Sequence, residues 1–177
     1  MPLKLENLDA QTRNHMTAEI KADIATTKLY LSNRLSGRER ADYPQLLQQA
    51  AEGRDDSWLA KKVRSNGRLN EMEERRKPKG GTTMARVPIT APETLAEGEF
   101  NRFYIRGLCL RVLAAGTTEL IVYRAKEVEN PRPESVAKIG HRISAQALLN
   151  DLRANPGVDT ALGLPPGPNS GLSVKLP

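Results

Sequence analysis

Apolar residues recur at helical spacing in several short stretches of the first half of the chain. They crowd into one long run after Thr90 and give way to proline and glycine near the end. Residues 9–25 carry Met16, Ile20 and Ile24 on one stripe with Asp9 placed to cap, which predicts a helix that Leu5 and Leu8 fold against. His15 lies beside that stripe and reads as a packing or surface residue. Leu29-Tyr30-Leu31 is a short apolar run, too brief to assign, for which an edge strand is one reading. Asp42, Pro44 and Gln45 follow capping-box order and predict a helix through Leu46, Leu47 and Ala50 that stops at Gly53. Asp55, Asp56 and Ser57 offer caps for another short helix carrying Trp58, Leu59 and Val63, ended by Asn66-Gly67. Leu69 and Met72 suggest a further turn or two.

The long run is the best-marked element. Thr90 and Glu93 have the spacing of a capping box, and Pro92 falls in the first turn, where its missing N–H costs little. Phe100, Phe103, Tyr104, Leu108 and Val112 mark one face, and Ile105, Cys109, Leu110 and Leu113 widen it beyond a surface stripe. Such a helix is expected at the centre of the fold. Gly98 lowers helix propensity by about 1 kcal/mol relative to alanine, so a kink is expected there. Gly116 supplies the stop, and Leu120-Ile121-Val122-Tyr123 predicts a strand, buried on both faces and running to about Val128. Asn130-Pro131-Arg132-Pro133 is held extended by its prolines. Ser144 then caps a helix carrying Leu148, Leu149 and Leu152, closed by Asn155-Pro156-Gly157.

The fold class that follows is mixed α+β, in four parts. A helical N-terminal region spans 1–74, a basic Gly/Pro linker or arm 75–89, an α/β core 90–155, and an extended Pro/Gly-rich tail 156–177. Only 38% of the 177 residues are apolar and 4% aromatic, with twelve prolines and thirteen glycines. A modest core with extended flanks is therefore expected, the flanks ordered by other molecules. No run approaches the ~20 apolar residues of a membrane span, and the start of the chain has no signal-peptide apolar segment. A cytoplasmic or virion location and no membrane partner are expected.

Charge sharpens this picture. Lys61, Lys62, Arg64, Arg68, Arg75, Arg76, Lys77, Lys79 and Arg86 are nine cations in one interval holding three acids, an excess equal to the whole net charge of +6. The surplus is one local patch suited to nucleic acid or to an acidic neighbouring subunit. Residues 43–53 and 57–65 have the layout of a helix-turn-helix, with Lys61, Lys62 and Arg64 on its second helix. Arg102 and Arg106 lie one turn apart, read either as a solvated edge or as a pair aimed at a phosphate or a partner carboxylate.

Catalytic patterns are missing. Two histidines, His15 and His141, with the single Cys109 have no zinc-ligand spacing. Cys109 lies in the most apolar helix, which predicts a buried, unreactive thiol. No Gly-x-Ser-x-Gly or Walker sequence occurs, and Glu119, Lys126 and Glu127 do not form a metal-nuclease order. The chain reads as non-enzymatic, with no cofactor and no metal.

Several sequence words carry a resemblance: Glu99-Phe100-Asn101-Arg102-Phe103-Tyr104-Ile105-Arg106-Gly107-Leu108-Cys109, Val122-Tyr123-Arg124-Ala125-Lys126, Asn130-Pro131-Arg132-Pro133-Glu134-Ser135 and Gly167-Pro168-Asn169-Ser170-Gly171-Leu172. Together with Arg75–Gly81, they resemble a group of proteins encoded in bacterial genomes and in tailed phages or prophages, to which no activity attaches. The resemblance implies a phage-related setting. The function expected is a structural or assembly protein that binds neighbouring subunits through extended arms. The alternatives are a nucleic-acid-binding protein using Lys61–Arg86, or a phage-encoded inhibitor of a host enzyme.

Overall fold

The computed structural model describes residues 2–37, 39–157 and 170–177. Among these, six helices and two small antiparallel sheets make a mixed α+β fold. In chain order the elements are α1 (Ala10–Ala25), α2 (Glu39–Gly53), α3 (Asp56–Arg64), β1 (Met72–Arg76), β2 (Thr82–Arg86), α4 (Ala91–Ala114), β3 (Glu119–Arg124), α5 (Pro133–Ala137), β4 (Arg142–Ser144), α6 (Ala145–Ala154) and β5 (Leu172–Lys175).

Most of the fold packs around α4. This helix touches α1, α2, α3, α6, β3 and β5. It buries Phe100, Phe103, Tyr104, Leu108, Cys109 and Val112, the face marked by the sequence. One continuous apolar core joins them to Met16 and Ile20 of α1, Tyr43 and Leu47 of α2, and Leu59 and Val63 of α3. From the other side come Leu120 and Val122 of β3, Leu148, Leu149 and Leu152 of α6, and Leu172 and Val174 of β5. The expectation of a core confined to 90–155 is thereby corrected: neither the N-terminal helices nor the end of the chain is a detached flank. The physical reason is that α4 is apolar around most of its circumference, so a sheet and one helix cannot cover it.

The tail reading is corrected in part as well. Residues 158–169 lie outside the described residues. Beyond them β5 pairs with β3 from Ile121↔Lys175 to Arg124↔Leu172, in a sheet of order β4-β3-β5. Asn101 of α4 fixes β5 by donating to the Leu172 carbonyl at 2.9 Å and accepting from the Ser173 hydroxyl at 2.6 Å. Gly171 has a φ of +65°, and a Cβ there would stand 2.2 Å from the Lys126 carbonyl oxygen, so the turn into β5 admits only glycine. Segment 3–7 lies against the end of β3 and against β5. Lys4 N–H donates to the Ala125 carbonyl at 2.8 Å, and the Tyr123 hydroxyl donates to the Lys4 carbonyl at 2.8 Å.

Local readings differ in instructive ways. Asp9, Asp55 and Ser144 cap α1, α3 and α6 through their side chains, as the sequence predicts. Thr90 makes no side-chain cap: its backbone is not in the extended conformation of a capping residue, and Glu93 pairs with Arg64 instead of returning to the cap. α4 runs unbroken past Gly98, held by packing on several sides. α2 begins at Glu39, ahead of Asp42, and takes Pro44 into its interior. β3 stops at Arg124, where the chain turns away, short of Val128. Leu29–Leu31 is not a strand. Leu35 pairs across an isolated bridge with Leu69, and Met72 opens a strand where further helix is predicted.

Candidate interaction surface

The predicted linker 75–89 is a hairpin for most of its length. β1 and β2 pair from Met72↔Arg86 to Arg76↔Thr82, with Lys77–Gly81 as the connection. Gly80 and Gly81 both take positive φ, which is how so short a connection reverses the chain. The linker reading is corrected on this point: Thr82, Thr83 and Met84 have the β-propensity to return along Glu74–Arg76.

The register sorts the side chains onto two faces. Glu73, Arg75, Thr83 and Ala85 share one, and Glu73 ties it to the body. Its carboxylate accepts from Arg34 Nε at 2.5 Å and from Arg75 Nε at 2.7 Å. These contacts hold the Glu73 carboxyl below its ordinary range, the hydrogen bond from Arg34 being the largest cause. Asn70 N–H donates to the Arg34 carbonyl at 2.8 Å and completes the anchor. The opposite face carries Met72, Glu74, Arg76, Thr82, Met84 and Arg86. Met72 is 42% exposed, Met84 60%, and Ile89 just beyond β2 82%. Two strands alone are marginal in water. The hairpin has no third strand among the described residues and leaves both outer edges unpaired.

The predicted cationic residues divide into distinct environments. Arg76, Lys77, Lys79 and Arg86 are exposed and form no ion pair among the described residues. Lys61 and Lys62 are exposed on α3, away from its buried Leu59, Ala60 and Val63, and Lys62 lies 5.5 Å from the Trp58 ring centre. Arg64 pairs with Glu93, and Arg68, largely buried, pairs with Glu39. Those two cations are taken up inside the chain.

Arg102 and Arg106 are not a solvated edge: they are 7% and 2% exposed. Arg106 donates to Glu19 Oε2 at 2.7 Å and grips Asp23 with both terminal nitrogens, at 2.6 and 2.9 Å. Its guanidinium also lies 4.7 Å from the Phe103 ring centre. Arg153 of α6 reaches the same Glu19 at 2.5 Å, so one carboxylate joins α1, α4 and α6. Burial pushes the Glu19 carboxyl up, but the hydrogen bonds and charges of Arg153 and Arg106 outweigh it and leave it lowered. Arg102 donates to the Leu152 and Asn155 carbonyls at 3.3 and 3.0 Å, fastening the end of α6. The carboxylates awaiting these arginines belong to this chain, not to a partner.

Sequence reading passed over Glu19, Asp23 and Arg153, and the apolar share of the hairpin. The first two had a signal: acids at i and i+4 flanking the Met16–Ile20 stripe. Cys109 is fully buried, and burial pushes its thiol up to about 12. Among the described residues, no three His, Cys, Asp or Glu side chains converge as a metal site, and no helix is long and apolar enough to cross a membrane. Neither a protein-family model nor a curated protein nor a solved structure matches the chain.

Proposed function

We propose that this chain is a non-enzymatic assembly protein of a tailed-phage or prophage system, which docks on an acidic surface of a neighbouring protein subunit through the β1–β2 hairpin. One observation carries the reading. A single hairpin face combines the exposed apolar Met72 and Met84 with the cations Arg76 and Arg86. Methionine adapts to irregular apolar surface, and the flanking arginines select an acidic rim around it. The open strand edges add backbone donors and acceptors for a partner's extended segment. This replaces the basic linker or extended arm of the sequence reading with a folded hairpin.

The test is cross-linking from the hairpin itself. Photo-methionine in place of Met84, irradiated in producing cells, is expected to capture one protein species through an acidic surface. Arg76→Glu together with Arg86→Glu should lower that yield on the order of tenfold, since like charges then meet. Capture of nucleic acid alone, or of nothing, overturns the reading. Nucleic-acid binding is the second reading, favoured by Arg76, Lys77, Lys79 and Arg86, exposed and without an ion pair among the described residues. It requires retention on duplex DNA, with a log–log salt slope of about 0.9 per phosphate contact.

A further inference from the structure

The two outer edges of the β1–β2 hairpin are not equivalent. Lys77 N–H donates to the Gly81 carbonyl and Val87 N–H to the Glu71 carbonyl, both at 2.9 Å. Counted inward from these pairs, the alternation of an antiparallel ladder turns the backbone groups of Thr82, Met84 and Arg86 outward on β2. On β1 it turns out those of Met72, Glu74 and Arg76. The β1 edge is abutted by its own chain: Asn70 N–H, two residues before Met72 on that edge, donates to the Arg34 carbonyl at 2.8 Å. Thr82, Met84 and Arg86 are exposed, and no backbone group among the described residues bonds to their edge. The Arg86 carbonyl accepts from Arg75 Nη2 at 3.4 Å and keeps a second lone pair. Pro88, which has no N–H to offer, ends the edge.

Side-chain order decides what can lie there. Laid antiparallel on a second copy of itself about Met84, the whole of β2 is matched. Met84 meets Met84, Thr83 meets Ala85, and Thr82 meets Arg86. The outward groups of both copies coincide in this register, so the Met84 pair and both Thr82–Arg86 pairs exchange about six backbone hydrogen bonds. No charge faces its like, and the Met84 side chains, 60% exposed in the single chain, cover each other. β1 laid on itself fares differently. Centred on Glu73, Glu74 or Arg75, it sets that residue against its own copy, and like charges directly opposite are destabilising.

We propose that the chain forms a symmetric dimer through the β2 edge, the two hairpins joining as a four-stranded antiparallel sheet of order β1-β2-β2-β1. The contact uses the edge of the hairpin and leaves its Arg76 and Arg86 side chains on the face, so it goes beyond the acidic docking partner and does not depend on it. A two-fold axis through the Met84 pair consumes the same edge on both copies, and association therefore stops at two. Four strands also support one another where two alone are marginal, and the more open edge is closed to aggregation.

The test uses the purified full chain. Its sedimentation between about 10 µM and 1 mM should pass from monomer to dimer and no further, as befits a small, weak interface. In Met84→Cys the two new cysteines have Cα atoms about 5.5 Å apart, within disulfide reach, and mild oxidation should join the chains. Cys109 is buried and stays out of the reaction. Glu74→Cys lies on the other strand and Ala85→Cys off the axis, and both should remain largely unjoined. Thr82→Pro deletes an outward N–H and spares the hairpin's own ladder. It should weaken the dimer on the order of tenfold, with the inward Thr83 and Ala85 amides still protected from exchange. Photo-methionine at Met84 should likewise join two purified copies, whereas the acidic neighbour is captured only in producing cells, so the two readings fail separately. A chain monomeric throughout, growth past the dimer, Glu74→Cys joining as readily as Met84→Cys, or a Thr82→Pro dimer of unchanged affinity overturns the proposal.

Discussion

The centre of α4 and the β1–β2 hairpin are both rich in arginine, and the fold treats the two sets in opposite ways. Arg106 is sunk between α1 and α4 with both its carboxylates supplied by α1, and Arg153 shares one of them. Arg76 and Arg86 stand exposed beside Met72 and Met84 with no carboxylate of this chain paired to them among the described residues. A guanidinium taken out of water demands matched acids nearby, whereas one left in water demands nothing. The buried set therefore belongs to the architecture, and the exposed set is the surplus available to a partner.

The largest effect should come from breaking the buried side of that contrast. Arg106→Met leaves Asp23 without its bidentate partner and Glu19 with Arg153 alone. The expected loss of stability is about 3–5 kcal/mol, read as a lower urea midpoint at unchanged slope. A second readout is pH. The folded Glu19 carboxyl is lowered, so its contribution is present above the ordinary carboxylate range and fades as pH falls through the folded value. The variant should show a weaker acid dependence there. A loss below about 1 kcal/mol would mean that Arg106 is worth no more than an exposed pair.

Next in size is the crossing of α1 and α4. A Cβ at Gly107 would meet Met16 Cγ and the Thr12 carbonyl oxygen, each at 2.9 Å. Gly107→Ala must push the helices apart, and the expected cost is about 1–3 kcal/mol. Gly98 on the same helix has nothing within 4 Å of such a Cβ. Gly98→Ala should instead stabilise by about 0.5–1 kcal/mol through helix propensity. Opposite signs in thermal melts are the outcome to look for. Two losses of equal size would show that Gly98 too is constrained.

These contrasts were unevenly legible. The apolar run 100–113 announced the central helix, and Asp9, Asp55 and Ser144 announced their helix starts, because periodicity and caps are local signals. The same apolar run contained Arg102 and Arg106: Arg106 finds its acids far off in sequence, Glu19 and Asp23 on α1, and Arg102, besides Glu99 three residues away, reaches carbonyls at the end of α6. No local pattern reports a pair separated by more than eighty residues, so an amphipathic edge was the natural reading. β5 was hidden for a related reason. Four residues after a proline- and glycine-rich stretch carry little strand signal, and the pairing with β3 that makes them a strand is decided by tertiary contact. The hairpin was hidden by its own charge, which resembles a solvated linker until Met84 is matched against Glu74.

The smallest expected effect tests the exposed side. Replacing Arg76, Lys77, Lys79 and Arg86 by glutamine, with Met84→Ser, removes charge and apolar area from groups that touch little of their own chain. Each change should move stability by no more than about 0.5 kcal/mol, against several for Arg106. Glu73→Gln is the informative neighbour. It loosens the tie to Arg34 and Arg75, so the β1 and β2 amides should exchange faster with deuterium while those of α4 keep their protection. A hairpin that opened only with the whole molecule, or a combined variant that lost as much stability as Arg106→Met, would place the exposed cations inside the architecture. The surplus available to a partner would then have to be sought at Lys61 and Lys62 on α3.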